Sequence, residues 1–238
     1  MKILFGHIEK YSDMLIRIEF YTFVSNVIII YFLTDYSVIF LSSINTIFKN
    51  FPSFNTINTN FYGVQLVVSY LLVAVIIAYI FRIVKMHDKI SDIFNIRKYF
   101  DVYHILLPLS IATEISINNE YIGKLFSSRK KLMRSVFYYY TSSTDPKIDK
   151  HSIWTALDQW SIYWIIIELM ASIFFWALVI LLLKDYALFY KMFSLLFILT
   201  LMCLFWIRIF PKYAQDQIDI ICSNKDNLKK IRSDFNAL

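Results

Sequence analysis

Four apolar stretches, each about as long as a bilayer crossing, alternate with charged segments along the chain. No charge occurs from Phe20 to Thr34; Asp35 follows, then an uncharged stretch to Phe48. This pattern predicts a crossing over about Phe20–Phe40. Phe61–Phe81 is a run of 21 uncharged residues. At ~1.5 Å per residue such a helix covers roughly the 30 Å of a hydrocarbon core. A third crossing is predicted over about Trp160–Leu183, with Glu168 inside, and a fourth over about Tyr186–Ile207, with Lys191 inside. Only Lys184 and Asp185 separate these two.

Outside the spans the periodicity is helical. Leu4, Ile8, Tyr11, Leu15 and Ile18 repeat at helical spacing before the first span. They mark an interfacial amphipathic helix or an extension of the span. Ile90, Ile93, Phe94 and Phe100 predict that a helix continues out of the second span. The run Ile105–Ile111, interrupted by Pro108, is too short to cross and is expected to lie in protein or at the interface. A helix is predicted from Asn118 to about Thr141, with Ile122, Leu125, Phe126, Met133, Val136 and Phe137 on its apolar face. Ser142–Pro146 reads as loop, N-cap and first helical residue. In the tail, Ile218, Ile221, Leu228, Ile231 and Phe235 predict a helix with a packing seam. The resulting divisions are 1–81, 82–158, 159–207 and 208–238. The fold class is all-α: a polytopic membrane protein with four transmembrane helices and a helical cytoplasmic layer.

Composition sharpens this reading. Apolar residues make up 58% of the 238 and charged residues 18%, and the charges come in blocks. A soluble domain would scatter them along every surface helix. Three glycines and four prolines argue against broken-helix transporters and Gly-rich phosphate loops. Cys203 and Cys222 form no disulfide or zinc pattern. The first 19 residues carry six charges and no apolar core of signal-peptide length. The wealth of Ile, Asn, Lys, Tyr and Phe points to an AT-rich bacterial genome.

Lys and Arg set the orientation. Three lie before the first span, twelve in Arg82–Asp158 and six in the tail; the two opposite loops hold one each, Lys49 and Lys184. Both termini are therefore expected on the cytoplasmic side of a bacterial inner membrane. The central segment is short enough that it is expected to pack with the tail or with other subunits.

Glu168 is the most informative candidate. A carboxylate in hydrocarbon is costly unless paired, neutralised or facing water. It is either a pore-lining or proton-binding group, or a structural acid bonded to Ser161, Tyr163 or a neighbouring helix. Asp35 and Lys191 fall at similar depth and suit an intramembrane charge pair or snorkelling to the interface. Arg97, Lys98, Lys124, Arg129, Lys130, Lys131 and Arg134 form a candidate anion-binding surface. Phe94, Tyr99, Phe100 and the run Phe137–Tyr140 interleave with them. Cations with stacking rings suit a nucleotide or single-stranded oligonucleotide; juxtamembrane cations also bind anionic lipid and fix topology. His87-Asp88 and Asp92 could form a metal half-site, since positions i and i+4 share a helix face, but no paired ligand motif accompanies them, and surface pairing of Asp88 with Arg82 or Lys85 is the simpler expectation. Trp154, Trp160 and Trp164 suit an interfacial belt. No nucleophile-elbow, P-loop, zincin or dinucleotide motif occurs. The chain is expected to act without catalysis, metal or cofactor.

The segment His87-Asp88-Lys89-Ile90-Ser91-Asp92-Ile93-Phe94-Asn95-Ile96-Arg97-Lys98-Tyr99-Phe100-Asp101, following the second span, gives the chain a layout that resembles small multi-span effectors of bacterial anti-phage systems. The channel component of the Hailong system and the four-helix membrane subunit of Kiwa share that layout. The first resemblance implies a homo-oligomeric channel regulated by an oligonucleotide from a partner nucleotidyltransferase. The second implies a membrane sensor coupled to a cytoplasmic DNA-binding partner.

Overall fold

A computed structural model of the chain describes residues 8–36, 40, 42–43, 46 and 62–237. All regular structure among them is helical. The helices are α1 (Tyr11–Tyr36), α2 (Tyr62–Val84), α3 (Met86–Ile93), α4 (Ile96–Phe100), α5 (Leu107–Ala112), α6 (Asn119–Leu132), α7 (Lys150–Leu182), α8 (Tyr186–Trp206), α9 (Phe210–Cys222) and α10 (Lys225–Asn236). Two π-helical segments intervene: Asp101–Leu106 joins α4 to α5, and Met133–Tyr138 extends α6.

Three helical stretches, Tyr11–Thr34, Lys150–Leu182 and Tyr186–Cys222, are long and apolar enough to cross a membrane. A fourth qualifies if Tyr70–Val84 is counted together with Met86–Ile93. This is an all-α, membrane-embedded chain. Of the periodic residues ahead of the first span, Tyr11, Leu15 and Ile18 belong to that span's own helix, which begins at Tyr11; Ile8 precedes it, and Leu4 lies outside the described residues.

The chain divides into two compact units. The first comprises residues 17–86 and 164–204. Its core is Ile30, Leu33, Phe40, Ala74, Ile77, Phe81, Ile173, Trp176, Ala177, Ile180 and Met192. Most remaining apolar side chains of α8 point outward, including Tyr190, Phe193, Phe197 and Leu201. An outward apolar surface is what lipid contact requires. Arg82, near the end of α2, reaches Glu19 of α1 at 2.9 Å, so α2 returns to the side on which α1 starts. Asp185 caps α8 by accepting from the Leu188 N–H at 3.2 Å.

The second unit comprises residues 1–16, 87–163 and 205–238. Its core gathers Val102, Ile105, Leu106, Leu109, Leu125, Leu132, Val136, Ile221, Ile231 and Phe235. Phe210 stacks on Trp160 at 4.7 Å and meets Phe100 edge-on. Ile105, Leu106, Leu109 and Ser110 of the run Ile105–Ile111 are thus protein core, whereas Ile111 is exposed; Pro108 lies at the start of α5, directly after the π-helical segment.

Four expectations about helix ends change. The helix leaving the second span is interrupted at Lys85 and Asn95, both left-handed, with φ of 51° and 53°. Asn118 caps α6 as expected, accepting from the Tyr121 N–H, but the helix widens to π geometry at Met133. Pro146 lies in a loop, because the Lys147 N–H turns back to the Tyr140 carbonyl; Asp149 caps α7 instead, through the Ser152 N–H. The tail forms two helices, with Asn224 capping the second.

Candidate functional site

In the membrane unit, α1 and α7 are joined by a line of polar groups at one-turn spacing. Thr22 and Asn26 on α1 face Glu168, Ser172 and Trp176 on α7, and the rising order on both helices makes the pair parallel. The Thr22 hydroxyl bonds to the Glu168 carboxylate and to the Ile18 carbonyl at 2.9 Å. Asn26 donates to the Thr22 carbonyl at 2.8 Å and to Ser172 Oγ at 3.1 Å, and accepts from Trp176 Nε1 at 3.0 Å. Asn26 thereby uses both donors and its carbonyl. Glu168 is 4% exposed. Beyond Asn26 the line ends on rings, with Phe40 edge-on to Trp176 at 5.5 Å. A satisfied polar seam in otherwise apolar spans holds two helices in register and places a carboxylate where hydrocarbon would exclude one.

In the other unit, two carboxylates and two guanidinium groups form a junction. Arg129 of α6 donates to Asp101 at 3.0 Å, and their side chains are 15% and 8% exposed. Asp101 opens one π-helical segment, and Arg129 lies one turn before the other. Burial pushes the Asp101 carboxyl up to about 6, against the lowering influence of Arg129 and Arg97. Arg97 of α4 donates to Asp88 of α3 at 3.2 Å. Burial opposes the Arg97 charge, yet Tyr11 and Asp88 hold it above the ordinary guanidinium range. The Arg97 backbone N–H also donates to the buried Ser91 Oγ at 3.2 Å. Beside this junction Tyr99 and Tyr103 stack at 6.0 Å, Phe126 stands edge-on to both, and Lys98 lies 5.5 Å from the Phe126 ring centre.

The seven candidate cations divide. Arg97 and Arg129 are in the junction, and Lys124 pairs with Glu120 at 2.9 Å along α6. Lys98 sits over a ring. Lys130, Lys131 and Arg134 are exposed on the remaining surface of α6 and its extension. Asp88 pairs with Arg97 and lies 3.7 Å from His87; Arg82 is engaged with Glu19 instead. Lys191 is exposed on α8; the Asp35 side chain lies outside the described residues. Asp101, Thr22, Asn26 and Ser172 carry no motif and emerge only from the fold. A buried-looking Asp between Phe100 and Val102, and an Asn in mid-span, were the available signals.

No curated protein and no solved structure matches the chain. A family model described as the YmfE protein family matches residues 10–237. The match runs from the residue before α1 to just past the end of α10, and so takes in both the polar seam and the charged junction. The chain belongs to the YmfE protein family.

Proposed function

We propose that this membrane protein assembles as a homo-oligomeric ion channel or pore of bacterial anti-phage defence, gated by an anionic nucleotide or oligonucleotide on its basic extramembrane face. The observation that carries the reading is the Glu168 carboxylate within a span, held by Thr22. In the closed state the seam between α1 and α7 covers this carboxylate. Conduction follows when the seam parts and Glu168 borders a water path, where a ring of carboxylates favours cations. Four helices leave little room for such a path, so several subunits surround it. Lys130, Lys131 and Arg134 supply the initial attraction for the anion. The Lys and Arg bias supports an N-in, C-in orientation in the inner membrane, with no catalytic step. Cysteine labels at Lys184 and Lys130 test the orientation: an impermeant reagent reaches only the first in intact cells.

A second reading has an observation of its own. Every polar group of Asn26 is satisfied internally and the seam ends on Trp176 and Phe40. A seam used only for helix packing would look the same, in a non-conducting sensor that recruits a cytoplasmic DNA-binding defence protein. Ion flux from proteoliposomes containing this chain alone separates the two. Flux supports the channel, and its absence at all ligand concentrations supports the sensor.

A further inference from the structure

An anion arriving at the basic face meets cations of four kinds. Lys130, Lys131 and Arg134 are exposed, so binding there adds a contact without rearranging one. Lys124 is paired along its own helix, so releasing it moves nothing else. Arg129 and Asp101 are too buried to exchange partners readily. Arg97 differs from all of these. Its side chain is 32% exposed, its partner Asp88 is 36% exposed, and the pair joins two helices.

The turn that Arg97 closes is itself under constraint. Asn95, between α3 and α4, is left-handed at φ 53°, a conformation Asn tolerates better than most residues but that costs free energy. Two bonds from Arg97 back to α3 hold it, the guanidinium to Asp88 and the backbone N–H to Ser91, and the guanidinium also bonds to Tyr11 at the start of α1. Arg97 is also one of two cations whose field reaches Asp101. In chain order only Lys85 separates α3 from the span α2.

We propose that Arg97 is an anion-sensitive clasp: a phosphate-bearing anion takes its guanidinium from Asp88 and releases the turn between α3 and α4. Arginine suits this exchange, because its planar fork binds carboxylate and phosphate in the same geometry and phosphate offers the higher charge. Occupancy of the surface is thereby converted into a change in the element that follows a membrane span. The inference rests on reading the basic face as an anion-binding surface, and it does not depend on whether the protein conducts ions.

The test uses the full chain in detergent with inorganic pyrophosphate as the probe. Equilibrium dialysis measures binding, and hydrogen exchange reports on residues 91–100. Pyrophosphate is expected to bind the wild type and to speed exchange in this stretch. Asp88→Asn is expected to show fast exchange without pyrophosphate and to bind it roughly threefold to tenfold more tightly, since a competing ion pair of moderate strength is gone. Arg97→Lys keeps the charge of the junction but loses the fork. It is expected to bind pyrophosphate through the neighbouring cations while its exchange no longer responds. Binding to the wild type without any change over 91–100 overturns the clasp and leaves the basic-face reading standing. So does an Asp88→Asn variant with wild-type exchange and affinity, or an Arg97→Lys variant that responds like the wild type. No binding of pyrophosphate to the wild type overturns both.

Discussion

Arg129 and Asp101, 28 residues apart in the chain, are joined at 3.0 Å in a nearly buried ion pair. Two helices that the sequence treats as separate segments are locked at this point, each beside a π-helical widening. Removing one partner leaves the other charge buried. Arg129→Met or Asp101→Leu alone is expected to destabilise the unit by about 3 kcal/mol. The double variant is expected to lie within about 1 kcal/mol of the wild type, because the desolvation of both charges disappears together. Thermal unfolding of the four proteins in detergent supplies the cycle.

Acidity acts on the same pair. The Asp101 carboxyl titrates near 3.8 in an unfolded chain and at about 6 in the fold. Its folded value is raised, so the folded chain holds more protons between these values. The stability linked to this group is fully present below about 4 and is lost as pH rises through 6, by about 3 kcal/mol. Asp101→Asn should remove this slope. The difference in stability between wild type and Asp101→Asn, followed from pH 4 to 7.5, is expected to fall to a plateau above pH 6.5.

The seam between α1 and α7 predicts a cost at Asn26. Asn26→Leu strands the Trp176 N–H and removes the donor to Ser172. A loss of about 1–2 kcal/mol is expected in a denaturant titration of the detergent-solubilised protein. Asn26→Gln, which keeps the groups on a longer stem, should recover part of it.

Gly123 lies within α6, and an added Cβ would meet nothing within 4 Å. Gly123→Ala should therefore stabilise the fold by about 0.5–1 kcal/mol through helix propensity. A higher unfolding temperature with unchanged pyrophosphate binding is the expected result.

Three of the four predicted spans fall on helices long and apolar enough to cross, legible because hydrocarbon demands long apolar runs; the second qualifies only together with the bent helix that follows it, and Tyr186–Ile207 matches α8 within one residue. The tail's buried positions, Ile218, Ile221, Ile231 and Phe235, were legible from helical spacing, though the break capped by Asn224 was not separated out. Breaks at Lys85 and Asn95 carried no glycine or proline to announce them. Asp101 gave only its apolar flanks as a signal, because its partner lies on another helix and a single sequence holds no record of which distant charges meet. Thr22 was hidden for the same reason: its bond to Glu168 spans 146 residues, whereas the nearby groups Ser161 and Tyr163 were the natural local candidates.

Single-channel recording in planar bilayers, on the wild type and on Glu168→Gln, tests the channel account most directly. The account predicts cation-preferring currents from the wild type. It predicts lower conductance or weaker cation preference in Glu168→Gln, with an unchanged elution profile in detergent. Wild-type conductance and selectivity in the Gln variant, or no current from the wild type under any ligand condition, would contradict it.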